Sequence, residues 1–190
     1  PSQVVVTPGA KPIIFFTILA LVEEGDEVIC PNPGYPAYES VINFVGATPV
    51  PLPLREEYGF RFDPDEFRSK VSPRTKLIII NSPHNPTGGI LTREELVAIA
   101  EVARERDIMV LSDEIYSRII YEGSHMSIAT IWDMQDRTII LDGFSKSYAM
   151  TGWRLGYGVM PEWLAEQMSQ LMLNSNSCTA TFVQRAGLEA

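Results

Sequence analysis

Three stretches constrain the fold of this chain more than anything else in it. "TKLIIIN" (75–81), "IMVLSD" (108–113) and "RTIILDG" (137–143) are almost unbroken runs of apolar, largely β-branched residues. A strand with one wet face alternates apolar and polar side chains. Continuous apolar runs belong to strands covered on both faces, as in parallel sheets between two helical layers. The segment "TREELVAIAEVARERD" lies between the first two runs. It carries Thr92 and Glu95 at capping-box spacing ahead of apolar residues at helical period.

The rest of the chain continues the alternation. "QVVVT", "DEVICP" and the proline-limited "ATPVPLPL" read as strands. "KPIIFFTILALVEEG" reads as an amphipathic helix, "YPAYESVINFVG" as a second helical stretch, and Asp63 as the N-cap of a short helix. The tail from Pro161 to about Ser175 is helical. The link "SKSYAMTGW" is too short to carry a crossover helix, so "RLGYGVM" is expected to run antiparallel over Leu155–Met160. The predicted fold is a three-layer α/β/α domain over residues 1–190, with a mostly parallel sheet and one antiparallel strand.

Composition narrows the function classes. The formal charge is −9, which disfavours a nucleic-acid surface. No run approaches the roughly 20 apolar residues of a membrane span. Cys30 and Cys178 are distant and lack a CxxC spacing, which indicates buried free thiols in a reducing, cytoplasmic setting; His84 and His125 cannot form a metal cluster by themselves. The first residues open inside a strand and the last lie in a helical pattern, so the sequence is expected to be part of a longer chain.

Ligands of open α/β sheets bind beyond the carboxyl ends of the strands. After "VVVT", Pro8-Gly9-Ala10-Lys11-Pro12 forms either an anion cradle at a helix start or an ordinary glycine turn. After "LIIIN", "SPHNPTGG" bends sharply, and Asn85 either offers its amide to a ligand or braces its own turn. Asp113 ends "IMVLSD", where a buried acid requires a partner such as a cationic ring nitrogen, unless it caps a helix. Ser145, Lys146 and Arg154 follow "TIILDG". Trp153, Tyr148 and Tyr157 read as packing residues, His84 as a turn stabiliser and His125 as a surface loop residue. Together the strand ends offer groups for a phosphate, a pyridine nitrogen, a phenolic oxygen and an aldehyde, the functional groups of pyridoxal phosphate.

The motifs "TPGAKP", "NSPHNPTGG", "SDEIY" and "GFSKSYAMTGWRLGYG", in this order and covering nearly the whole chain, resemble the fold-type I pyridoxal-phosphate aminotransferases of class I/II. "MTGWRLGY" is most similar to the prokaryotic aspartate and aromatic branch. The resemblance implies that Lys146 is the Schiff-base lysine, that Asp113 pairs with the pyridinium nitrogen, and that Asn85 and Tyr116 bond the phenolic oxygen. It further implies that Tyr35 stacks on the ring and that Gly9, Ala10, Lys11, Ser145 and Arg154 hold the phosphate, with a cis Asn85–Pro86 peptide. Lys146, Asp113 and Tyr116 are the expected catalytic residues. The implied reaction exchanges an amino group between an L-amino acid, aspartate or aromatic, and a 2-oxo acid.

A homodimer is implied for the full-length protein, with small-molecule substrates and neither nucleic acid nor membrane as a partner. Family members are about twice as long, so the small domain and N-terminal arm are expected to be absent and the piece alone inactive. A β-lyase on the same scaffold, and an effector domain of a transcription regulator, are the alternatives.

Overall fold

Strands and helices alternate along the chain as the apolar runs require, and the computed structural model describes residues 1–190. In order they are β1 (Val4–Thr7), α1 (Lys11–Leu21), β2 (Glu27–Asn32), α2 (Pro36–Phe44), β3 (Thr48–Pro53), α3 (Pro64–Lys70), β4 (Thr75–Asn81) and α4 (Arg93–Glu105). They continue with β5 (Met109–Asp113), β6 (Thr138–Gly143), β7 (Gly156–Val159), α5 (Glu162–Ser175) and α6 (Thr181–Glu189). The strands form one sheet in the order β1-β7-β6-β5-β4-β2-β3. Only β7 runs against its neighbours, antiparallel to both β1 and β6, as the short link before it predicts. No helix is long and apolar enough to cross a membrane.

Side-chain alternation along the strands divides the core between the two faces. Leu77, Ile79, Leu111, Ile139 and Leu141 pack with Ile13, Ile18, Ile42, Leu164 and Met168 from α1, α2 and α5. Ile78, Ile80 and Val110 pack with Phe67, Leu96, Ile99 and Ala103 from α3 and α4. Burying each such aliphatic side chain contributes about 1.5–3 kcal/mol. The capping box of α4 is formed, with Thr92 N donating to Glu95 Oε2 at 2.7 Å, and Asp63 Oδ1 accepts from Asp65 N at 2.8 Å at the start of α3. The amphipathic expectation for α1 does not hold. That helix is apolar around most of its surface, because it is wedged between the sheet, α2 and α5, and even its outward Phe15 meets Phe44 of α2.

The β3 prolines, Pro49, Pro51 and Pro53, fall on alternate positions of a strand that pairs only with β2. An edge strand tolerates them because the N–H groups they lack are on the side without a partner. They also deny that edge to further strand pairing.

Candidate active site

The parallel strands end on one side of the sheet, and their ends surround a cavity of about 260 Å³. Every residue expected at the site lines this cavity except Gly9. Gly9 has another role. Its φ is +86°, and a Cβ there would overlap the Arg154 guanidinium. Gly156 of β7 is equally constrained, since a Cβ would strike the backbone of Gly9 and Ala10. The two glycines let the start of α1, the β7 backbone and Arg154 converge.

α1 begins without a side-chain cap and without an acidic residue in its first turn, and Pro12 occupies the position where a missing N–H costs least. The positive end of the helix dipole is therefore unopposed at the cavity, beside Arg154 and Lys11, and this suits an anion. Arg154 is held in a left-handed backbone conformation (φ +53°), with Nη1 donating to Thr151 O at 2.9 Å. The Lys11 ammonium lies 5.5 Å from the centre of the Tyr35 ring.

Asp113 occupies the other end of the cavity, 5% exposed. Tyr38, 1% exposed, donates its hydroxyl to Asp113 Oδ2 at 2.6 Å, and the Ile115 N–H donates to Oδ1 at 3.3 Å. Asp113 therefore caps a turn rather than a helix. Burial pushes its carboxyl up to about 6, and the hydrogen bond from Tyr38 opposes that shift without cancelling it. Burial also pushes the Tyr38 phenol well up.

Asn81, at the end of β4, bolts the site together. Its Nδ2 donates to the Asp113 carbonyl at 2.9 Å and its Oδ1 accepts the Asn85 N–H at 2.8 Å. The Asn85 side chain is left facing the cavity, and Asn85–Pro86 is cis as expected. Lys146 Nζ lies 5.7 Å from the centre of the Tyr116 ring. Sequence reasoning missed Tyr38, Asn81 and Thr151 as wall residues. The available signals were the terminal polar residue of "LIIIN" and the second tyrosine of "GYPAY".

Two readings outside the cavity are corrected. Trp153 is 47% exposed, because it sits in the short 3₁₀ turn Thr151–Trp153 at the reversal into β7 and not under a helix. His125 is not a surface loop residue. Its Nε2 is 2.7 Å from Glu114 Oε2, and Glu114, 6% exposed, also accepts from Ser112 Oγ at 3.0 Å and Ser127 Oγ at 2.5 Å. Tyr148 stacks on Phe144 with ring centres 4.9 Å apart, and Tyr157 donates to Asp142 Oδ2 at 3.0 Å, so both pack with their hydroxyls engaged.

Fold and cavity together define a class of protein, an α/β platform whose strand ends gather an amine, a buried acid and an anion cradle around one ligand. The profile of the aminotransferase class I and II family matches residues 1–190. The chain is 40% identical over 190 residues to aromatic-amino-acid aminotransferase 2 of Thermococcus litoralis, and 40% identical over 190 residues to aspartate aminotransferase of Pyrococcus abyssi; each match covers 100% of this chain and 49% of the relative. The solved structure of Thermus thermophilus aspartate aminotransferase with maleate superposes with a TM-score of 0.97 at 37% identity, over 100% of this chain and 49% of that one. The chain belongs to the class I and II aminotransferase family and spans about half the length of these relatives.

Pyridoxal phosphate is that family's cofactor, and the residues present fit it. The uncapped start of α1 with Arg154 suits a phosphate. A buried carboxylate with a single side-chain donor suits a cationic ring nitrogen. An amine and two hydrogen-bonding side chains, Asn85 and Tyr116, stand between them.

Proposed function

We propose that residues 1–190 form the cofactor-holding domain of an aminotransferase acting on an L-amino acid and a 2-oxo acid, with aspartate or an aromatic amino acid as donor. The relatives named above favour those donors. The observation that carries the reading is the placement of Asp113. A carboxylate buried this deeply is costly unless a cation meets it, and it faces the same cavity as Lys146.

When bound, pyridoxal phosphate supplies the electron sink that makes the substrate Cα proton labile. The protein's groups divide the remaining work. Ala10, Lys11, Ser145 and Arg154 would hold the phosphate, with Arg154 able to grip two oxygens at once and Gly9 leaving room for its guanidinium. Asp113 keeps the ring nitrogen protonated, and Tyr35 covers the ring. Asn85 and Tyr116 donate to the phenolic oxygen. Lys146 would hold the cofactor through its amine and, once the substrate amine has displaced it, would carry the proton from substrate Cα. Cys30 is buried as expected, whereas Cys178 is exposed because it lies in the link between α5 and α6; two free thiols accord with a cytoplasmic protein, and the family resemblance supports a homodimer of the full-length chain.

The test is borohydride reduction of the full-length protein loaded with pyridoxal phosphate, followed by peptide mass spectrometry. A pyridoxyl group on Lys146 is expected, and Lys146→Ala is expected to lose both that label and all measurable amino-group exchange. Label on another lysine, or exchange that survives Lys146→Ala, overturns the assignment.

A further inference from the structure

Thr7 is fully buried at the end of β1, opposite Gly156 in the antiparallel pair with β7, and none of the roles assigned above uses it. Its Oγ1 donates to the Gly9 carbonyl at 2.7 Å. No backbone amide reaches that carbonyl, so the Thr7 hydroxyl alone holds it. Gly9 has a φ of +86°, a region that glycine enters and leaves without steric cost, so sterics do not fix the peptide that follows it.

The Gly9–Ala10 peptide is trans, hence planar, with its C=O and N–H directed to opposite edges. Holding the Gly9 carbonyl therefore also aims the Ala10 N–H. The flat of the same peptide rests on Gly156. A Cβ there would stand 2.4, 2.5 and 2.7 Å from Ala10 N, Gly9 C and Ala10 Cα, so β7 covers a face of the peptide and not an edge. One edge belongs to Thr7. The other carries the Ala10 N–H, which has no partner in the chain, and Ala10 lines the cavity with Arg154.

We propose that Thr7 is a positioning residue: by pinning the Gly9 carbonyl it turns the Ala10 N–H into the cavity as a fixed donor to the cofactor's phosphate. The proposal rests on reading the cavity as the cofactor site. The α1 dipole and the Arg154 charge attract an anion over a range of orientations, whereas a single amide counts only when it is aimed. Without the hydroxyl, the glycine is free to rotate that peptide and to present a carbonyl oxygen, an acceptor, to the anion. Thr7 thus acts on the phosphate through one peptide group and never touches it.

The test compares, in the full-length protein, the dissociation constants of pyridoxal phosphate and of pyridoxal, which keeps the ring and aldehyde and lacks the phosphate. Thr7→Val keeps the shape of the side chain and removes the hydroxyl. It is expected to weaken pyridoxal phosphate by about tenfold, the worth of one hydrogen bond to a charged group, and pyridoxal by less than about twofold. Thr7→Ser, which restores the hydroxyl, should recover most of the loss. The phosphorus magnetic resonance signal of the bound cofactor should move in Thr7→Val and return in Thr7→Ser. If Thr7→Val does not fold, the unmutated protein with isotope-labelled alanine decides. Its Ala10 amide signal should move downfield with pyridoxal phosphate or inorganic phosphate and stay in place with pyridoxal. Equal losses for the two ligands, or an Ala10 signal that phosphate leaves unmoved, overturn the positioning role while leaving the site intact. A wild-type protein that does not bind pyridoxal phosphate overturns the reading of the cavity, and the role of Thr7 with it.

Discussion

Asp113 and Glu114 are neighbours in sequence and both buried, yet they belong to opposite faces of the sheet and to different kinds of environment. Glu114 faces the α3/α4 side, where Ser112, Ser127 and His125 all bond its two oxygens. Asp113 faces the α1/α2 side, where Tyr38 is its single side-chain donor and a cavity opens beside it. A structural carboxylate is one whose lone pairs are already engaged. A carboxylate prepared for a ligand is left short of partners, and at Asp113 burial pushes the carboxyl up to about 6 against the opposing hydrogen bonds from Tyr38 and the Ile115 N–H. Two adjacent acids thus show how one strand end can serve stability with one residue and binding with the next.

The contrast can be broken most directly by removing each acid in the full-length protein. Asp113→Ala is expected to lower the amino-transfer rate by about a thousandfold or more while costing less stability than Glu114→Ala, because it orphans one side-chain donor, Tyr38, rather than three. Glu114→Ala is expected to do the reverse. It strips three side-chain hydrogen bonds from their acceptor and should cost about 2–4 kcal/mol in denaturant melts, with little change in rate per folded molecule. Equal rate losses from the two substitutions would erase the distinction.

A pH titration sharpens it further. The Asp113 carboxyl is about 6 in the folded chain against an ordinary 3.8. Between those values the folded state holds a proton that the unfolded state has lost. Its contribution therefore favours folding at low pH and is lost as pH rises through about 6. A cationic ring needs the ionised form, so cofactor affinity should fall as pH drops below about 6, by at most about tenfold per unit. Equilibrium binding from pH 5 to 8 checks this, and Asp113→Asn should flatten the profile while Glu114→Gln leaves it standing. The smallest effect is expected from Tyr38→Phe. Loss of that hydroxyl should move the midpoint to higher pH and weaken binding at pH 6 by about three- to tenfold.

The sheet was legible because the buried runs around Ile78, Val110 and Ile139 have a single reading, and the reversal at β7 followed from the length of one link. The cavity wall was legible wherever a residue stands at a strand end inside a motif, as Asn85, Asp113, Lys146 and Arg154 do. Tyr38 was not, because its partner lies 75 positions away and nothing local marks it. Glu114 and His125 were unreadable for the same reason: whether a loop histidine is wet or paired depends on which acid the fold brings under it. Trp153 misled because a large apolar ring suggests a core, whereas its short turn has no second layer above it.

The reversed strand has a mechanical corollary. Lys146 and Arg154 stand on the two arms of one hairpin-like excursion between β6 and β7, and Gly156 clamps the returning arm against the start of α1. The arms form a caliper whose jaw spacing is set by covalent chain length and a glycine contact, so lengthening the excursion by even one residue would change the gauge, and a ligand of fixed span would no longer meet both tips.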